Sequence, residues 1–286
     1  GYFGLRLADL AGRYRAEVKT IEKPWGEWFS LDELEAALIE HKPAILAMVH
    51  AETSTGVCQP MEGIGDLCRK HDCLLLLDTV TSLGGVPLYI DEWKVDLAYS
   101  CSQKGLSCPP GLGPFTMGPR AEAKMTARQG KVPNWYLDVS LLNQYWGSDR
   151  VYHHTAPVNM NFGMREALRL LAEEGLDQAW ARHRSNAEML WNGLESLGLS
   201  MHVPAERRLP TLTTVRIPEG VDGKAFSQHL LNNHGIEVGG GLGSLAGKIW
   251  RIGLMGYNST PENVNRLLNL FETELPRFSG SVAAAA

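Results

Sequence analysis

Two residues in this chain of 286 could form a reactive pair. Asp78 closes the apolar run CLLLL (73–77), and Lys104 lies in the small-polar segment SCSQKG (100–105), after the next apolar run. Taken singly, Asp78 reads as a strand-terminal residue capping the following turn, and Lys104 as a solvated surface lysine. Taken together, they match what a pyridoxal-phosphate site requires: an amine to form an imine with the cofactor aldehyde, and a carboxylate facing the pyridine nitrogen. An adjacent negative charge favours the protonated ring, which is then the better electron sink.

The elements that must position this pair are legible as patterns. Residues 5–14 repeat apolar positions at helical spacing, and residues 16–21 read as a short strand. Ser30 and Glu33 form an S-x-x-E capping box ahead of a helix. Residues 44–49 form a continuous apolar run, as expected of a strand buried on both faces. A helix is expected over 61–71, and strands over 73–77, 95–100 and 113–117. Strands alternating with helices imply an α/β fold with a mostly parallel sheet. Chemistry in such sheets collects at the carboxyl ends of the strands, which singles out HAETSTG (50–56), DTVTS (78–82) and SCSQKG.

Two long helices are expected over 157–175 and 176–197. Beyond them, strands at 212–218 and 248–254 flank a helix at 222–232, and a last helix runs over 261–275 with Pro261 in its first turn. This pattern divides the chain into a large domain, residues 1–175, and a smaller α+β domain, residues 176–286.

Composition narrows the function classes. The net charge is -5, with no block of like charges, which argues against a nucleic-acid binder. No apolar run is long enough to span a membrane. The five cysteines, Cys58, Cys68, Cys73, Cys101 and Cys108, include no CxxC pair and read as reduced thiols. The adjacent His153 and His154 would point opposite ways in a strand, and no nearby acid or cysteine completes a metal set. GGGLG (239–243) lacks dinucleotide-fingerprint spacing and reads as a flexible approach loop. The last residues, Ser281, Val282 and four alanines, carry no receptor-read address.

The segments HAETSTG, LLLLDTVTSLGG, YSCSQKGL, VYHHTAP, RLPTLTTV and GGGLG…KIWRIGLMG, in this order, resemble the class-V aminotransferases of the alanine–glyoxylate and serine–pyruvate type. The resemblance runs from GYFG through essentially the whole chain. It implies the PLP-dependent transferase fold (fold type I, aspartate aminotransferase-like). The implied activity moves an amino group from alanine or serine to glyoxylate or pyruvate through a Lys104 Schiff base; the alternatives are a 3-hydroxykynurenine-type transaminase of the same family and a fragment or non-catalytic relative of the fold.

The resemblance also implies residue roles. Asp78 pairs with the pyridine nitrogen, Val80 packs on one ring face and Phe3 stacks on the other, where a tryptophan is common. Thr53 lies near the ring hydroxyl, and Gln103 at the phosphate. Tyr152 and Thr155 reach the phosphate of a neighbouring subunit, making the site a property of a homodimer. Arg251 clamps the substrate carboxylate by a two-point contact. Read from the residues alone, Arg251 is equally a surface arginine, and Tyr152, His153 and His154 interface packing. Cys101 departs from the glycine common in the family and is either a packing or a redox-sensitive thiol.

A cysteine desulfurase-like lyase is disfavoured, because no cysteine follows Cys108. A further segment precedes GYFG in the family, bearing a Ser/Gly-rich turn at a helix N-terminus that binds the PLP phosphate. No such turn precedes Gly1, so the chain is expected to correspond to the family without roughly its first quarter, and to bind cofactor poorly by itself. The compartment expected is the cytoplasm, with peroxisomal and mitochondrial relatives in the family.

Overall fold

A computed structural model describes residues 1–280; the terminal Ser281, Val282 and alanines lie outside the described residues. The chain opens with helix α1 (Tyr2–Arg13) and, after an extended stretch, helix α2 (Leu31–His41). The capping box at the start of α2 forms as expected: the Ser30 side chain accepts from the Glu33 N–H, and the Glu33 carboxylate accepts from the Ser30 N–H. Strand β1 (Ile45–Val49) leads into the hairpin strands β2 (Ala51–Glu52) and β3 (Val57–Cys58), then helix α3 (Ile64–Lys70) and strands β4 (Leu74–Asp78), β5 (Leu97–Tyr99) and β6 (Phe115–Met117).

The main sheet has the order β1-β4-β5-β6; β1, β4 and β5 are parallel and β6 is antiparallel. Its core holds Leu34 and Leu38 of α2, Ile64 and Cys68 of α3, and Leu75 and Leu77 of β4. Helices α4 (Pro119–Thr126), α5 (Val139–Trp146), α6 (Val158–Glu174) and α7 (Leu176–Ser196) follow. The first two, each of only eight residues, were not anticipated.

The C-terminal part contains β7 (Leu212–Arg216), α8 (Gly223–His234), β8 (Gly239–Gly240), β9 (Ile249–Gly253) and α9 (Pro261–Glu274), with an antiparallel sheet ordered β7-β9-β8. Leu190 and Leu194 of α7, Phe226 and Leu230 of α8, Trp250 and Ile252 of β9, and Val264 and Phe271 of α9 form its separate core.

Three expectations are corrected. Residues 16–21 are not a strand: they line a cavity of about 760 Å³ whose other wall includes β1, and they find no ladder partner. Strand β1 is not buried on both faces. It is the edge of its sheet beside that cavity, and Ile45 is 48% exposed. Finally, Gly239 and Gly240 of GGGLG are not a loop but β8, with Gly239 paired to Arg251. Among the described residues, no helix is long and apolar enough to cross a membrane.

Candidate active site

The carboxyl end of β4 delivers Asp78 into the interior. Burial pushes its carboxyl above the ordinary aspartate value, and the nearby Glu52 charge adds to that. Hydrogen bonds from Tyr99 Oη to Oδ2 (2.7 Å) and from Val80 N–H to Oδ1 (2.8 Å) oppose the shift without cancelling it. Tyr99 is the ladder partner of Asp78 across β4 and β5, so the parallel register brings the two together. Burial first, and then the Asp78 charge, raise the Tyr99 pKa, keeping it a hydrogen donor.

Lys104 sits half-buried in the loop between β5 and β6. That loop is pressed against residues 83–85: a Cβ on Gly105 would stand 2.3 Å from the Leu83 carbonyl oxygen, so glycine is needed there. No hydrogen bond or ion pair engages the Lys104 amine among the described residues. Cys101 lies within electrostatic reach of both key residues. Burial raises its thiol pKa, Lys104 lowers it and Asp78 raises it. Its Sγ donates weakly to the Val80 carbonyl at 3.9 Å. The half-buried Val80 is thereby held between Asp78 and Cys101.

The β2–β3 hairpin brings a residue that the sequence reading passed over. Glu52 is buried, and its Oε2 accepts from the N–H groups of Phe3 and Gly4, both at 3.1 Å. Its Oε1 accepts from the N–H and hydroxyl of Ser54, at 3.0 and 2.7 Å. Tyr2 N–H donates to Ser54 Oγ at 2.8 Å. The first turn of α1 is thus capped by a hairpin about fifty residues away, and this fixes the Phe3 backbone beside Glu52. The Arg6 guanidinium lies 4.8 Å from the Phe3 ring centroid. A carboxylate within the strand-end stretch HAETSTG was the available signal for Glu52.

Arg251 approaches from β9. Its Nε donates to the Gly240 carbonyl at 2.7 Å, and Nη1 to the Thr53 carbonyl at 3.4 Å. Burial lowers its pKa, and the Glu52 charge partly restores it. Thr53 is buried in the β2–β3 turn. The segment between β9 and α9 is latched to the lysine loop by Tyr257 N–H donating to Ser107 Oγ at 2.8 Å. The structure therefore gathers Phe3, Thr53, Asp78, Val80, Lys104 and Arg251 around one region, through contacts shared with Glu52 and Cys101.

Gln103 is exposed on the same loop. Tyr152 and Thr155 are exposed, with Tyr152 Oη 3.5 Å from Thr155 Oγ1. Among the described residues, no hydrogen bond or ring contact joins either residue to Asp78 or Lys104 within this chain. His153 and His154 do not point opposite ways. They lie outside any strand, and their Nδ1 atoms are 2.8 Å apart, with His153 stacked on Trp135 at 4.1 Å.

The Aminotransferase class-V family profile matches residues 5–267. This chain belongs to that family. It is 44% identical over 271 residues to the alanine–glyoxylate aminotransferase of Mus musculus, a match covering 93% of this chain and 66% of that protein. It is 38% identical over 302 residues to the (S)-ureidoglycine–glyoxylate transaminase of Bacillus subtilis (strain 168), covering 99% of this chain and 73% of that protein. Among solved structures, the alanine–glyoxylate aminotransferase from Nostoc sp. superposes with a TM-score of 0.94 at 65% identity, over 95% of this chain and 72% of that one. The chain thus spans about two thirds of the length of the mouse relative. The fold class, an α/β PLP-transferase type, agrees with these neighbours.

Proposed function

We propose that this chain carries the catalytic core of a pyridoxal-phosphate-dependent aminotransferase that uses alanine or serine as donor and glyoxylate or pyruvate as acceptor. The observation that carries the reading is Asp78: a buried carboxylate whose own protein contacts do not offset its desolvation, which shares the neighbouring Cys101 thiol with an amine, Lys104, left without a hydrogen-bond or ion-pair partner among the described residues. Such a carboxylate calls for a cation, and a protonated pyridine nitrogen meets that need. The residues present therefore fit the cofactor. Bound there, pyridoxal phosphate would supply an aldehyde for the amino group and a ring that takes up an electron pair.

The protein's part follows from its own groups. Asp78 would keep a proton on the ring nitrogen, and Tyr99 and Val80 hold its carboxylate in one orientation. Phe3, Val80 and Thr53 would help to hold the cofactor ring, the first two by packing and Thr53 by hydrogen bonding. Lys104 Nζ would hold the cofactor aldehyde, and its amine would be the base that moves the proton at the substrate α-carbon. Arg251 uses the guanidinium edge not engaged by Gly240 and Thr53 to bind the substrate carboxylate in two-point fashion. Both relatives above are named for glyoxylate, which supports it as the acceptor. The alanine in the first name supports a small donor.

Gln103, Tyr152 and Thr155 are assigned to the phosphate, the last two from a second subunit. Their exposure, together with that of Trp135, Tyr136, Trp146 and Phe162, supports a homodimer. The two separate cores support a division of the chain at Gly175, between α6 and α7.

The test is the absorbance of the chain with added pyridoxal phosphate, before and after alanine. A visible band that alanine converts to a near-ultraviolet one is expected. Lys104→Ala should abolish both the band and transamination, and turnover retained in that variant would refute the assignment.

A further inference from the structure

Helices α8 and α9 end beside each other, and three metal-ligating side chains meet there. His229 and His234 lie in the last turns of α8, and Glu274 is the final residue of α9. One donor atom from each lies within 4.8 Å of the others. His229 Nε2 is 3.0 Å from Glu274 Oε2, and the two imidazoles have centroids 5.3 Å apart. None of these residues contributes to the site around Asp78.

The geometry points to a zinc site formed by His229, His234 and Glu274, pinning α8 to α9. Two imidazoles and a carboxylate are a donor set suited to Zn²⁺, with water in the fourth position. Zinc–ligand distances of about 2.0–2.2 Å in a tetrahedron put donors about 3.4 Å apart, so the trio must draw in by roughly an ångström. Rotation of the half-buried His234 side chain supplies that movement.

His229 is already oriented. The Phe278 ring packs on it at 5.2 Å, and its Nδ1 lies 2.7 Å from the Asn233 side-chain amide. When Nε2 takes the metal, the imidazole proton sits on Nδ1, and a turn of the Asn233 amide presents an oxygen to accept it. Arg266 donates to the His234 carbonyl at 2.6 Å and fixes the backbone of the second ligand. Two helix C-termini converge here, and their partial negative charge favours a cation. The opposing group is Arg277, whose Nη1 is 2.6 Å from Glu274 Oε2. It is 65% exposed, so metal can displace it into solvent at little cost.

The test is calorimetric titration of the tag-free full chain with zinc chloride, with thermal unfolding read in parallel. One zinc per chain is expected, together with a rise in the unfolding midpoint. His229→Gln and Glu274→Gln should each weaken binding by about tenfold or more. Arg277→Gln should tighten binding, a gain that misfolding cannot mimic. The proposal is overturned by the absence of saturable zinc uptake. It is equally overturned if affinity is unchanged in both His229→Gln and Glu274→Gln, or if binding is lost instead in the His153→Gln/His154→Gln double variant.

Discussion

Glu52→Gln is the sharpest test of how the site is built. The carboxylate takes two backbone donors of α1 on one oxygen and both donors of Ser54 on the other. Glutamine keeps the shape but offers one accepting oxygen and an amide nitrogen that only donates. If the nitrogen faces α1, the Phe3 and Gly4 N–H groups both lose their acceptor. If it faces Ser54, the hydroxyl can rotate and accept, but the Ser54 N–H cannot. At least one buried donor is stranded either way, at about 1–3 kcal/mol. The α1 N-terminus also loses a negative charge worth roughly 0.5–1 kcal/mol. Gly1 provides no side-chain cap to compensate. The expected destabilisation is about 2–3 kcal/mol, or a fall in thermal midpoint of about 2–4 °C per kcal/mol. Urea unfolding followed by circular dichroism measures it. A change below about 0.5 kcal/mol, within the range of an ordinary surface substitution, would refute the reasoning.

The cofactor-free chain should show the Asp78 ionisation as a pH dependence of stability. Its folded-state pKa is raised by burial, so the native state binds the proton more tightly than the unfolded state, and the Asp78 contribution falls as pH rises from 3.8 toward neutrality. Asp78→Asn should therefore gain stability relative to wild type across that window, as judged from urea midpoints at matched pH; a difference that does not vary with pH would contradict the assignment. With cofactor present, the same variant should retain binding and lose turnover by orders of magnitude. Arg251→Ala should chiefly raise KM for amino and keto acids, and Arg251→Lys should fail to restore it, because an ammonium cannot make the two-point contact; an unchanged KM places Arg251 outside the substrate site. Cys58, with its thiol pushed up to about 12 by burial, should resist alkylation at pH 8, and mass spectrometry showing rapid modification in the native chain would disprove that environment.

What the sequence determined by itself was chemistry that closes over a few residues, together with the order of the strongest apolar runs. The capping box of Ser30 and Glu33 needs only its own turn, and it forms as expected. The leucines of β4 end at Asp78 and the lysine loop follows β5, as chain order and apolar patterning required. The resemblance then named Val80, whose N–H donates to Asp78, and Lys104, which shares Cys101 with it.

Tertiary structure decided whatever depends on a distant partner. Residues 16–21 carry a strand pattern, but a strand exists only when a neighbour completes its ladder, and here they border a cavity instead. Gly239 and Gly240 have no side chains to signal a strand and become one because Arg251 and Trp250 of β9 present free backbone groups beside them. His153 and His154 share a hydrogen bond because their segment is irregular, which no periodicity could reveal. Glu52 was visible only as one acid among many, until the fold delivered the N-terminus of α1 to it from the far side of the hairpin. The physical reason is common to all four: local hydrogen bonds are encoded within a turn of chain, whereas ladders, desolvation and long-range capping are set by which remote segment fills the space alongside.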